Sequence, residues 1–202
     1  MKYIIMADGE GKRWNDHLGI PKHLVEIGGE TLLERTTRLL RENGVQDYII
    51  TCSDERYSQY GLTMRQTVRD CEIDRFEESI VDGPVCYLYG DTYYTDNAIK
   101  TIVNAKIKDY MFFGHRYEIF AIKITSPSIF FDAKKKVKEL YQENIITRCI
   151  GWEVYRHLEH IPYDCHIIKE DGKYCLIEDG TDDIDYPADY EAFKKEKEKI
   201  TK

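Results

Sequence analysis

Lys2-Tyr3-Ile4-Ile5-Met6-Ala7-Asp8-Gly9-Glu10-Gly11-Lys12-Arg13 begins as an almost unbroken apolar run and stops abruptly at a polar, glycine-containing loop. A short run of this kind, with β-branched residues at its centre, reads as a strand buried on both faces that delivers its following loop to the edge of a sheet. Tyr48-Ile49-Ile50-Thr51-Cys52 has the same form, as does Val85-Cys86-Tyr87-Leu88-Tyr89 ahead of Gly90-Asp91. Between the first two strands, Leu32 to Asn43 carries Leu32, Leu33, Leu39 and Leu40 on one helical stripe. Thr31 and Glu34 have capping-box spacing before it, and Gly44 stands at its exit. A strand, a helix and a strand in this order are too far apart for a hairpin, so the pair is parallel and joined by a crossover.

Working outward, Asn97 to Ala105, Phe131 to Asn144 and Trp152 to His160 read as helices, and Tyr110 to Phe113 and Ile119 to Ile124 as strands. Asp171-Gly172 between Cys165–Ile168 and Tyr174–Ile177 predicts a hairpin turn. Pro187 introduces a charged helix over Ala188–Lys199, whose Lys194 to Lys199 run reads as a solvated face. No repeat, low-complexity tract or linker interrupts the chain. The expected fold class is α/β: one domain over residues 1–202, a three-layer α/β/α sandwich with a Rossmann-like, mostly parallel sheet and some antiparallel strands.

Composition narrows the function. The 202 residues carry 29 basic and 37 acidic side chains, a net charge of −8. That balance disfavours nucleic-acid backbones and anionic membranes as partners while leaving room for a local basic pocket. Apolar runs fall far short of the roughly 20 residues a membrane span needs. The first residues also lack the apolar core of a secretory signal, so a cytoplasmic location is expected. The six cysteines contain no Cys-x-x-Cys pair. Several sit in apolar runs, and they read as reduced and structural.

The chemistry concentrates at the first strand end. Gly9 and Gly11 let backbone N–H groups approach a polyphosphate closely, and Lys12, Arg13 and, after Pro21, Lys22 supply cations. The Gly-Lys-Ser/Thr ending of a Walker loop is missing, as is the third glycine of the dinucleotide fingerprint. Asp91, just past a buried strand, suits a Mg²⁺ ligand held at the carboxyl edge of the sheet, since Mg²⁺ commonly takes only one or two protein carboxylates beside a polyphosphate.

Taken together, Gly-x-Gly-x-Arg after a small-residue strand end, then Pro21-Lys22 and Leu32-Leu33-Glu34-Arg35, resemble the nucleotidyltransferase signature. That family moves a nucleoside monophosphate from an NTP to a phosphorylated acceptor and releases pyrophosphate. The resemblance covers about forty residues and recurs more thinly at Gly90-Asp91 and Asp183-Ile184-Asp185-Tyr186-Pro187. It implies that Gly9, Gly11, Arg13 and Lys22 hold the triphosphate, that Ala7 and Asp8 lie against base or phosphates, and that Asp91 with Asp183 or Asp185 holds Mg²⁺. Lys22 would stabilise charge on the α-phosphate and Arg13 the departing pyrophosphate; an anionic acceptor needs no general base.

Asp8 departs from the Ala or Gly usual in the family. It reads as a base-contacting carboxylate, a metal ligand or a sign of weakened NTP binding. Trp152-Glu153 resembles the Trp-acidic pair of small cytidylyltransferases that act on choline phosphate and similar head groups. An indole beside a carboxylate suits a cationic acceptor, and an indole anchored in the core is the competing reading. His115-Arg116 offers a phosphate contact or an exposed turn. His157 and His160 have a ligand-like spacing but read better as surface or interface residues. The expected activity is Mg²⁺-dependent transfer from an NTP, CTP favoured, to a small phosphorylated metabolite, which the resemblance ties to cell-surface polymer or head-group synthesis. The reading leaves room for a homodimer. Alternatives are a sugar-1-phosphate or molybdopterin-type nucleotidyltransferase, a glycosyltransferase using a sugar nucleotide, and a nucleotide-binding regulator without turnover.

Overall fold

The computed structural model describes residues 1–9, 11–52, 54–65 and 69–200, with side chains as far as Lys197. Glu10 of the opening loop and the side chains at the end of the Lys194 to Lys199 run lie outside the described residues. In chain order the elements are β1 (Lys2–Met6), β2 (Glu26–Ile27), β3 (Glu30–Thr31), α1 (Leu32–Glu42), β4 (Tyr48–Thr51), β5 (Leu62–Met64), β6 (Val85–Tyr89) and β7 (Thr92–Tyr93). There follow α2 (Asp96–Asn104), β8 (Tyr110–Gly114), β9 (Ile119–Ile124), α3 (Pro127–Gln142), α4 (Gly151–Leu158), β10 (Tyr174–Leu176), β11 (Asp182–Asp183) and α5 (Pro187–Ile200).

Seven strands form one sheet in the order β10-β8-β9-β6-β1-β4-β5. β1 pairs in parallel with β4 and β6, β4 with β5, and β8 with β10, while β9 runs antiparallel to both of its neighbours. The fold is therefore α/β with a mostly parallel sheet, and the strands that share a direction deliver their carboxyl ends to one edge. Alternation along β1 shows why its run is apolar throughout: Tyr3, Ile5 and Ala7 pack on one face and Ile4 and Met6 on the other. The first face is covered by Leu33, Leu39 and Leu40 of α1 and Ala98, Ile99 and Ile102 of α2. The second is covered by Phe130, Phe131 and Val137 of α3 and Trp152, Val154 and Tyr155 of α4.

Local signals set the helix starts. The Thr31 Oγ1 accepts from the Glu34 N–H at 3.1 Å and the Glu34 carboxylate accepts from the Thr31 N–H at 2.8 Å, completing the capping box. Pro127 stands in the first turn of α3, which begins four residues before the expected Phe131. Its missing N–H and fixed φ fit that position.

The hairpin expected around Asp171-Gly172 does not form. No strand covers 165–168, and Tyr174–Leu176 instead adds in parallel to β8, Tyr174 opposite Phe112 and Leu176 opposite Gly114. Packing overrides the local turn signal. The Tyr174 ring stacks on Trp152 at 5.5 Å, and its hydroxyl lies 2.9 Å from the His115 carbonyl and 3.0 Å from that of Glu118.

Candidate functional site

The ends of β1 and β6 are forced together at Gly90. Its N–H donates to the Met6 carbonyl at 3.0 Å, and a Cβ at this position would lie 2.7 Å from that oxygen and 3.1 Å from the Ala7 Cβ. Only glycine fits, and the close approach sets Asp91 at the edge beside the opening loop. Asp183 and Asp185, far away in sequence, arrive by pairing: Asp183 of β11 opposes Thr92 of β7, and the Ile184 N–H donates to the Asp91 carbonyl at 2.9 Å. Lys22 is fixed by a 3₁₀ turn, Lys22–Leu24.

These elements converge on a cavity of about 600 Å³. Gly9, Gly11, Lys12, Arg13, Lys22, Asp91, Asp183, Asp185 and Trp152 all line it. The Lys22 ammonium sits between two carboxylates, 2.5 Å from Asp91 Oδ2 and 3.1 Å from Asp185 Oδ1. Burial would raise the Asp91 carboxyl, but Lys22 and Arg75 outweigh it and hold it down to about 2. Burial likewise opposes the charge on Lys22, and Asp91 and Asp185 more than restore it, so the ammonium stays protonated. Asp183 shifts the other way. Burial and the negative charges of Glu118, Asp185 and Asp91 push it up to about 8.

This imbalance is the test of whether a divalent cation fits. A carboxyl kept protonated by neighbouring carboxylates is a place where added positive charge is stabilised. Among the described residues no three histidine, cysteine or carboxylate side chains are grouped to ligate one ion. A divalent cation here would take one or two carboxylates, with the remaining positions left to phosphate and water, a donor set of the kind Mg²⁺ accepts.

The opening loop is braced by Trp14, whose Nε1–H donates to the Ile20 carbonyl at 2.7 Å. Gly11 (φ 61°), Asn15 (φ 49°), Asp16 (φ 51°) and Leu18 (φ 61°) take left-handed backbone there. Sustained left-handed geometry at non-glycine residues is the kind of strain that clusters at ligand clamps. Arg13 reaches across this loop to hydrogen-bond Asp185.

Ala7 is buried at the end of β1, donating its N–H to the Thr51 carbonyl at 2.9 Å, and Asp8 turns away from the cavity. The Asp8 carboxylate lies 3.3 Å from the Arg69 guanidinium, and Arg69 also donates to the Asp8 carbonyl. Burial raises the Asp8 carboxyl, with Arg69 and Arg75 offsetting only part of the effect.

At the other end, Trp152 serves core and cavity at once. It is 8% exposed, stacks on Tyr174, donates from Nε1 to the Tyr117 carbonyl at 3.1 Å and still lines the cavity. Glu153 and Arg116, expected beside it, do not line the cavity. Glu153 points into the protein, where Arg156 at 2.8 Å and Arg148 at 3.1 Å neutralise it. Arg116 is exposed and contributes its backbone carbonyl to His166 Nε2 at 2.8 Å. His157 bonds the Tyr163 hydroxyl at 2.8 Å, and Tyr155 is fully buried in the core.

Sequence reasoning missed Arg69, Glu72, Arg75, Glu118 and Arg148, all on the cavity wall. The first three fall in the connection between β4 and β6, where the described residues form 3₁₀ turns and one short strand and no periodic signal. Glu118 follows the His115-Arg116 pair already noticed, and its place next to a strand start was the available clue. It is pushed up to about 7 by loss of water and by Asp185 and Asp182.

Residues 3–82 match the profile of the MobA-like NTP transferase domain. The resemblance read from the opening loop is borne out over that segment. Among curated proteins, the chain is 44% identical over 55 residues to a bifunctional IPC transferase and DIPP synthase of Thermococcus kodakarensis, covering 27% of this chain and 12% of that one. It is 36% identical over 58 residues to a glucose-1-phosphate cytidylyltransferase of Salmonella typhimurium, covering 28% of this chain and 23% of that one. The matched stretches thus span under a quarter of either relative's length. Among solved structures, the CTP:phosphocholine cytidylyltransferase of Streptococcus pneumoniae superposes with a TM-score of 0.60 at 15% identity, covering 96% of this chain and 97% of that one, which shows the shared fold.

Proposed function

We propose that this protein is a Mg²⁺-dependent nucleotidyltransferase that passes a nucleoside monophosphate from an NTP, CTP favoured, to a small phosphorylated acceptor and releases pyrophosphate. The observation that carries the reading is the buried Lys22 ammonium held between Asp91 and Asp185, at the sheet edge where the Gly9-Gly11-Arg13 loop emerges. The cytidylyl relative and the CTP-dependent structural neighbour support CTP as donor. A cytoplasmic site of action follows from an NTP substrate; no helix among the described residues is long and apolar enough to cross a membrane.

Backbone N–H groups around Gly9 and Gly11 receive the phosphates, and Lys12 and Arg13 neutralise them. Arg13, released from Asp185, meets the charge leaving with pyrophosphate. Lys22 stays protonated and, turned from its carboxylates toward the donor, stabilises charge that grows on the α-phosphate oxygens. Asp91 with Asp183 or Asp185 would hold Mg²⁺, which when bound neutralises phosphate charge and aligns donor and acceptor. The acceptor's own anionic phosphate attacks, so no side chain need remove a proton. Trp152, Tyr117 and His166 form an aromatic wall, and Glu72 and Glu118 bring two carboxyl groups to the same cavity, a setting suited to an amine-bearing or cationic acceptor.

A pyrophosphate-release screen tests this, crossing CTP, GTP, UTP and ATP with phosphocholine, phosphoethanolamine, phospho-amino acids and sugar 1-phosphates in Mg²⁺. Pyrophosphate formed only when CTP and one acceptor are both present is the expected result. Release of nucleoside diphosphate from a sugar nucleotide would identify a glycosyltransferase instead, and tight nucleotide binding with no product in any pairing would favour a regulator.

A further inference from the structure

Two of the six free thiols stand together although 78 residues separate them: Cys71 Sγ and Cys149 Sγ are 2.8 Å apart. That is only about 0.8 Å beyond a covalent sulfur–sulfur bond. The segments that carry them are already joined, the Ile73 N–H donating to the Cys149 carbonyl at 3.3 Å. Cys71 is half-buried and lines the cavity, whereas Cys149 is 4% exposed behind it. We propose that Cys71 and Cys149 are a redox-modification site, a dithiol on the cavity wall that closes to an intramolecular disulfide by exchange with a low-molecular-weight disulfide.

The geometry assigns the order of events. Cys71 is the attacking sulfur because it faces the cavity, and its surroundings favour the thiolate. The hydrogen bond with Cys149 lowers it most; burial and the neighbouring Asp74 carboxylate oppose, and Lys138, which bonds Asp74 at 2.8 Å, adds a nearby positive charge. The Cys71 thiolate attacks one sulfur of the reagent, forming a mixed disulfide and expelling the other sulfur as a thiolate. Cys149 then loses its proton and attacks Cys71 Sγ, forming the Cys71–Cys149 bond and expelling the second reagent thiolate. The net change is two protein thiols and one small disulfide giving one protein disulfide and two small thiols. The bond would tie the wall carrying Arg69, Glu72 and Arg75 to the start of α4.

The site is independent of the proposed activity, and so is its test. The protein is incubated with oxidised glutathione or the smaller hydroxyethyl disulfide, quenched with iodoacetamide in denaturant and mapped by mass spectrometry. The wild type is expected to lose the mass of two hydrogen atoms and yield a linked peptide pair containing Cys71 and Cys149, both lost on adding dithiothreitol. Cys149→Ser is expected to trap the mixed disulfide on Cys71, and Cys71→Ser to leave Cys149 unmodified. Mixed disulfides on the half-buried Cys165 and Cys175 with no Cys71–Cys149 linkage would overturn the proposal. The wild-type map decides the matter even if a serine variant folds poorly.

Discussion

Lys22 is a cation whose burial is unfavourable by itself and becomes favourable through two carboxylates, one of which, Asp91, is kept ionised by it in return. Replacing it should therefore reach beyond one lost contact. Lys22→Ala is expected to lower turnover roughly a hundredfold or more, read as pyrophosphate release with the preferred substrates; activity near wild type would remove Lys22 from its role. Its neighbour makes a separate prediction. His23 is fully buried, its Nδ1 lies 2.8 Å from the Tyr57 hydroxyl, and burial lowers its pKa from 6.5 to about 4. Between those values the unfolded chain binds the proton and the folded one does not, so stability falls as pH drops through that window, by up to about 3 kcal/mol. Denaturant titrations at several pH values should show a shallower fall for His23→Gln than for the wild type; identical slopes would contradict the assignment. At this scale the sequence announced Gly9, Gly11, Arg13 and Lys22, because glycine and basic residues after an apolar run have few other uses. It was silent on Arg75 and Glu118, which matter only through what folds against them.

Elements place these residues, and their junctions are where single changes tell most. The strand ends β1 and β6 touch at Gly90, so Gly90→Ala must part them or twist Asp91 aside. The expected outcome is a loss of about 1–3 kcal/mol together with weakened Mg²⁺-dependent activity; a variant of full stability and activity would show that the close approach is dispensable. Thr31→Ala removes the cap of α1 and should lower the urea midpoint by an amount equivalent to about 1 kcal/mol with an unchanged slope. The α1 boundaries were legible because capping and the leucine stripe are local. The parallel addition of β10 was not, since the Asp-Gly step signals a turn locally while the Tyr174–Trp152 stack decides the partner. The two-residue β11 carried no strand signal. Its acidic residues were noticed, but their position beside Asp91 comes from the pairing of Asp183 with Thr92.

For the molecule as a whole, a chain of net charge −8 collects Lys12, Arg13, Lys22, Arg69, Arg75 and Arg148 around one cavity and faces them with carboxylates. Two of those carboxyls, Glu118 at about 7 and Asp183 at about 8, hold protons that an unfolded chain would release. Each therefore costs stability as pH rises from the ordinary carboxylate range, about 4, toward those values, and a bound divalent cation offsets the cost. Mg²⁺ affinity should climb between about pH 6 and 9. Binding near neutral pH should release a proton, seen as calorimetric heats that vary with the buffer's ionisation enthalpy; pH-independent binding, or an unchanged profile in Asp183→Asn, would refute this. The most direct measurement is a crystal structure of the protein grown with CTP and Mg²⁺. The account predicts the triphosphate lying along Gly9, Gly11 and Arg13, with Lys22 turned to the α-phosphate and the metal on Asp91. A cavity free of nucleotide at saturating CTP, with Lys22 still locked between Asp91 and Asp185, would contradict it.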